Sequence, residues 1–334
     1  YNGNYGLNAS WTLYNGNKRL KTIQQEKLNN QVAELDVATS ENNIQESIAQ
    51  VYIQILYAAE SVKVNESTLQ VSIAQRDRGQ ELLNAGSIAK SDFAQLEAQV
   101  STDRYQLVTA QATLEDYKLQ LKQLLELDGE NEMNIYLPAL SDENVLAPLP
   151  TKKDVYIRAL SLRPEIEASK LNVEASELGI GIAKSSYLPT ISLSAGIGTN
   201  HTSGSDFTFG EQVKNGWNNS IGLSVSVPIF NNRQTKSAVQ KAKLQYETSM
   251  LSLLDEQKTL YKTIEGLWLD ANSAQQRYAA ANEKLKSTQI SYELISEQFN
   301  LGMKNTIELL TEKNNLLQAQ QEQLQAKYMA ILNM

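Results

Sequence analysis

Apolar positions along this chain follow two different periods, and the change from one to the other marks the elements. Ile44, Ile48, Val51, Ile55, Ala58, Val62 and Leu69 fall at alternating steps of four and three, with Asn65 the one polar member of the run. A second run keeps the same steps through Leu260, Ile264, Leu267, Ala271, Ala274, Tyr278, Ala281, Leu285, Thr288, Tyr292, Ile295 and Phe299. Such a heptad seam predicts helices lying side by side as coiled coil, with the alanines allowing close approach of neighbouring backbones. Neither 17–83 nor 231–301 contains a proline, and each holds a single glycine, Gly79 or Gly266. Each is therefore predicted as one helix of about seventy residues, spanning roughly 100 Å.

Elsewhere the period is two. Leu7, Ala9, Trp11 and Leu13 alternate with Asn8, Ser10 and Thr12; Ile191, Leu193, Ala195 and Ile197 alternate with Ser192, Ser194, Gly196 and Gly198; Ile221, Leu223, Val225, Val227 and Ile229 alternate with Ser220, Gly222, Ser224 and Ser226. These predict strands with one apolar face and one face of small polar residues, at about ten residues long enough to cross a bilayer when tilted. The membrane-facing set is Leu7, Trp11, Leu193, Ile197, Leu223, Val225 and Val227, with Tyr14, Tyr187 and Phe230 at the strand ends as an aromatic girdle. The polar stretch 201–218 is expected to join two strands as an external hairpin loop, and the lone His201 to be a solvated residue within it.

Residues 6–15 recur as 222–231, and the turn 84–92 recurs as 300–308, both at an offset of 216 residues. A constant interval between two landmarks means that the length between them is fixed by structure. The predicted organisation is a strand at 1–14; a helical hairpin at 15–127 with its tip near 84–91; a segment at 128–152 that Pro138, Pro148 and Pro150 keep from being helical; a helix at 153–186 with Pro164 inside it; a β-hairpin at 187–230; and a second helical hairpin at 231–334 with its tip near 300–307. The fold class is mainly α, with long antiparallel coiled-coil helices, an internal two-fold repeat and strands of a membrane β-barrel.

Charge and composition narrow the function. A formal net charge of −8 and a pI near 5.0 argue against nucleic acid as a partner, which would require a basic face. No stretch reaches the roughly eighteen apolar residues of a membrane-spanning helix, so any membrane insertion would use strands. Cysteine is absent and there is one histidine, which leaves no nucleophile–base constellation, no metal-ligand set and no cofactor fingerprint. Gly179 and Gly181 sit in a helical pattern with no strand ahead of them, so they are read as packing residues or a chance spacing. The expectation is a non-enzymatic, passive conduit supplied by partners. A soluble coiled-coil scaffold would leave the three strands unexplained. An adhesin-like fibre would place its barrel at one chain end, whereas strands recur here in mid-chain.

The run Arg163, Pro164, Glu165, Ile166 with Ala168, the strand entry Tyr187, Leu188, Pro189, the junction Val227, Pro228, Ile229, Phe230, and the turns Ala85, Gly86 to Asp92 and Leu301, Gly302 to Glu308 together resemble the outer-membrane efflux protein family, the TolC-like channels. That resemblance implies a homotrimer of a Gram-negative outer membrane. Its protomers share one β-barrel of about 12 strands and extend helices into the periplasm, with 128–152 in an equatorial belt. It implies a periplasmic adaptor docking on the tips (Gly86, Ser87, Ile88, Leu301, Gly302, Met303, flanked by Leu82 and Leu83) and an inner-membrane pump of RND or ABC type, with surrounding outer-membrane lipid. Glu308 would form a threefold acidic ring at the closed periplasmic end, its like charges raising one another's pKa. Lys304 would latch the closed tip against Asp92 or a neighbouring backbone, and Thr311 stands where some members carry a second acidic residue. It also implies a partner strand and helix ahead of Tyr1, with any leader or lipidated cysteine further upstream.

Overall fold

The computed structural model describes residues 1–127, 135–136, 138 and 145–333, so much of the expected equatorial segment lies outside the described residues. In chain order the elements are β1 (Asn2–Asn15), α1 (Lys18–Asn84), α2 (Lys90–Leu124), α3 (Lys152–Leu162), α4 (Pro164–Ser185), β2 (Thr190–Thr202), α5 (Phe209–Asn215), β3 (Asn218–Ser226), α6 (Gln234–Asn300) and α7 (Thr306–Leu332). Helices α1 and α6 each run 67 residues without a break. The chain divides into two compact units, one of Tyr1–Thr39 with Ala159–Thr259, the other of Ser40–Arg158 with Leu260–Met334.

The first unit holds an antiparallel sheet in the order β1-β2-β3. Its register brings like with like. Leu7 lies opposite Ile197, Trp11 opposite Leu193, and Leu193 opposite Leu223, while Asn8, Gly196 and Ser220 form one cross-strand row and Ser10, Ser194 and Gly222 another. Because successive side chains point to opposite faces, this register gathers the apolar residues on one face and the small polar ones on the other. The outer edges of β1 and β3 have no strand beside them among the described residues.

Several expectations change in this unit. The β1–β2 register shifts between Thr12 and Tyr14, so Leu13 occupies a bulge rather than a place in the alternation. Strand β3 ends at Ser226, and Val227 lies beyond the ladder because Pro228 has no N–H to donate. The hairpin loop is not irregular over 201–218: β2 continues to Thr202, and α5 forms behind a capping box in which Thr208 and Glu211 bond each other's backbone N–H. His201 is thus a ladder residue opposite Gly3, half-buried, with its ring 5.0 Å from that of Phe209. The helix expected over 153–186 is two helices. Arg163, held extended at φ −75°, ψ 120° by the proline after it, separates α3 from α4, and Pro164 takes the first turn of α4.

Strands pass into helices through two consecutive left-handed residues. Gly16 and Asn17 have φ 67° and 63°; Asn232 and Arg233, at the same offset of 216, have φ 49° and 60°. A Cβ at Gly16 would lie 2.7 Å from the Ser185 carbonyl oxygen, so glycine is required by contact as well as by φ. Beyond the junction α1 packs on α4: Lys21 Nζ donates to Gly181 O at 3.2 Å and Gln25 Nε2 to Ala175 O at 2.8 Å. A Cβ at Gly181 would lie 3.1 Å from the Lys21 side chain, so this glycine serves packing.

In the second unit the seam residues Ile55, Ala58, Leu69, Leu260, Ile264, Ala271, Ala274, Tyr278 and Phe299 are buried, whereas Ile44 and Leu267 stand 51% and 52% exposed and leave the seam. Gly79 lets α1 and α2 close together, since a Cβ there would fall 2.3 Å from Leu96 Cδ1, on a side chain only 1% exposed. The segment after 145 is fastened to α6. Gln275 Nε2 donates to the carbonyls of Val145 and Ala147, Trp268 Nε1 donates to Pro150 O, the Lys152 ammonium sits 4.9 Å from the Trp268 ring centre, and Tyr156 meets Tyr261 edge-on at 5.3 Å.

Candidate functional site

The two helix reversals of the second unit are built alike. At the first, Ser87 N–H donates to Leu82 O at 2.8 Å and Gly86 N–H to Leu83 O at 3.0 Å; at the second, Met303 N–H donates to Gln298 O at 2.8 Å and Gly302 N–H to Phe299 O at 2.9 Å. Each is a Schellman ending that requires a left-handed residue at the glycine, and Gly86 and Gly302 have φ 74° and 73°. Nothing lies within 4 Å of a Cβ built at either glycine. Glycine is there for its backbone, not for space.

The apolar surroundings differ. Leu301 and Met303 are 75% and 70% exposed, and Ile307, which sequence reading did not single out, is 61% exposed. At the first tip Leu82, Leu83 and Ile88 are half-buried. Ile88 lies over Gly79, its Cδ1 within 3.8 Å of a Cβ placed there.

The acidic pair takes capping positions. Asn305 caps α7, its Oδ1 accepting from Glu308 N–H at 2.9 Å while the Glu308 carboxylate accepts from Asn305 N–H at 3.2 Å. Asp92 holds the equivalent place on α2 and accepts from Ala89 N–H at 3.4 Å, but alanine offers no side-chain bond in return. Lys304 pairs with Glu308, at 2.5 Å, rather than with Asp92. Within the chain the Lys304 ammonium, then the Asn305 N–H, hold the Glu308 carboxyl below its ordinary pKa. Thr311 bonds back to Ile307 O at 2.7 Å and is exposed.

A buried polar cluster escaped the sequence reading. Ser72 of α1, Asp103 of α2 and Lys313 of α7 are 2%, 1% and 3% exposed. The Ser72 hydroxyl and the Lys313 ammonium both donate to one carboxylate oxygen of Asp103, and Gln99 Nε2 donates to the other at 2.9 Å. Burial pushes the Lys313 pKa down, opposed by its bond to Asp103. The available signal was a polar residue at a seam step: Ser72 follows Leu69 by three, and Asp103 follows Val100 by three.

In the first unit, Leu7, Trp11, Leu223 and Val225 are 73%, 62%, 65% and 59% exposed on the apolar face, with Leu193 and Ile197 beside them on β2. Among the described residues no helix is long and apolar enough to cross a membrane, and no group of three His, Cys, Asp or Glu is placed to hold a metal ion.

Long helical hairpins with glycine tips, joined to an antiparallel sheet that is apolar on one face, make up the architecture of outer-membrane channel proteins. The structure superposes on that of CusC with a TM-score of 0.84 at 19% identity, covering 99% of this chain and 76% of the other, and on the Campylobacter jejuni CmeC outer membrane channel with a TM-score of 0.79 at 19% identity, covering 99% and 69%. The family model described as outer membrane efflux protein matches residues 155–332, and the chain belongs to that family. It is 24% identical over 290 residues to outer membrane efflux protein BepC of Brucella suis biovar 1 (strain 1330), covering 86% of this chain and 60% of BepC. It is 23% identical over 311 residues to outer membrane protein TolC of Escherichia coli (strain K12), covering 90% and 62%. The chain thus spans about three fifths of the length of these relatives.

Proposed function

We propose that this chain forms the body of a passive outer-membrane channel-tunnel of a Gram-negative bacterium, assembled as a homotrimer. It receives cargo from an inner-membrane pump of RND or ABC type through a periplasmic adaptor. The observation that carries the reading is the sheet: an in-register apolar face, exposed in the chain and running across all three strands, suits contact with lipid, while the opposite face of serine, asparagine and glycine suits a wet lumen. The three strands among the described residues are too few to enclose a lumen, which supports a barrel completed by further strands, shared in this reading among three chains. The equal length of α1 and α6 and their matched tips support the internal two-fold repeat.

Within this reading Leu7, Trp11, Leu193, Ile197, Leu223 and Val225 face the bilayer, with Val227 at its margin. Gly302 with Leu301 and Met303, and Gly86 with Ser87 and Ile88, receive the adaptor. Glu308 rings the periplasmic opening, Lys304 restrains it as the charge partner of Glu308, and Asp92 and Thr311 line its neighbourhood. The chain performs no catalysis in this role, and the energy of transport comes from the pump. The test is the full-length protein purified in detergent and fused into a planar bilayer. A trimeric mass with discrete conductance steps is expected; a monodisperse monomer without conductance would refute the reading.

A further inference from the structure

Three helices of the second unit meet at one buried charge pair. Above and below Lys313 on α7 the buried residues are Leu309, Leu316 and Leu317, and on α2 the neighbours of Asp103 in the seam are Leu96 and Val100. Apolar residues at the three polar positions would pack as well, since replacing a buried ion pair with fitted apolar side chains is often neutral or stabilising. What the pair adds is direction. If α7 slid by one turn, Leu309 or Leu317 would replace Lys313 opposite Asp103 and leave a bare carboxylate in an apolar seam. In the observed register both carboxylate oxygens are used, one by Ser72 and Lys313 and the other by Gln99, and Gln99 also reaches Asn314 Oδ1 at 3.3 Å.

We infer that Ser72, Asp103 and Lys313 form a register lock that fastens α7 to the α1–α2 hairpin and makes the Gly86 and Gly302 tips move as one body. Lys313 lies little more than one turn past the Glu308 cap, so the lock acts close to the tip it restrains. The inference concerns two tips within one chain and does not rest on the channel reading. Its test uses the full-length protein in detergent carrying Ser87→Cys and Met303→Cys, these 334 residues having no cysteine of their own. Nitroxide-labelled chains are diluted with unlabelled ones, and the distance between tips is read by double electron–electron resonance. The native lock gives one narrow distribution. Asp103→Asn or Lys313→Met broadens it about twofold or splits it in two. Where the single changes prevent folding, the apolar pair Asp103→Leu with Lys313→Met decides: a broad distribution is expected, and a distribution as narrow as the native one would overturn the inference, as would single variants that fold and keep the native width.

Discussion

Replacing Gly302 by valine isolates what the tip contributes. With no heavy atom within 4 Å of the new Cβ there is no clash to relieve, so the whole cost comes from φ 73°. A left-handed L-residue costs about 1–2 kcal/mol, and β-branching places valine toward the upper end. That lowers the population of the native turn by a factor of about 5–30 and releases the bonds from Gly302 to Phe299 O and from Met303 to Gln298 O. The loss stays local, because sheet and seam are untouched. In the proposed channel, transport by a deletion strain complemented with Gly302→Val should therefore fail, while the proposed trimer and its melting temperature in detergent persist. Gly302→Asn, which tolerates the left-handed region, should restore efflux. Equal efflux from both variants would show that the conformation of the tip is not what a partner reads, and loss of the trimer in Gly302→Val would assign the turn a role in assembly.

Gly79→Val should destabilise the protein by about 1–3 kcal/mol through overpacking against Leu96, whereas Gly266→Ala, in open space on α6, should stabilise it by about 0.8–1 kcal/mol; thermal denaturation of the two variants side by side checks both. Glu308→Gln should reduce cation preference in single-channel recordings and Lys304→Ala should raise resting conductance, unchanged currents in both moving the constriction elsewhere. The folded-state pKa of Glu308 is depressed, so its cap is fully effective above the ordinary carboxylate value of 4.5 and is lost as pH falls through the lowered one; amide protection at Asn305–Glu308 by hydrogen exchange should hold at pH 5 and fall only in more acid solution.

The long helices, the glycine tips and the alternating strands were legible because each is a local pattern repeated over many residues. Where the sequence misled, one residue competed with a period: Pro164 holds Arg163 extended and ends a helix at Leu162 although the apolar pattern continues, and Pro228 ends β3 although Val227 and Ile229 keep the alternation. The α5 helix was hidden in a polar loop whose capping pair, Thr208 and Glu211, was not weighed. Ser72, Asp103 and Lys313 were invisible for a different reason. They lie on three helices, as much as 241 residues apart, and only folding brings their polar groups together. At the tips, the positions of Asp92 and Glu308 were readable, but their capping bonds depend on whether alanine or asparagine stands three residues earlier.

The sheet has two open edges, and each carries a row of backbone N–H and C=O groups without a partner strand among the described residues. Hydrocarbon offers such groups nothing, at several kcal/mol apiece, so in the proposed channel insertion and edge pairing become a single kinetic event. A lone sheet would wait at the membrane surface until neighbouring strands arrive. The rate of appearance of protease-resistant, membrane-embedded protein should then rise more steeply than linearly with chain concentration, as assembly-limited reactions do.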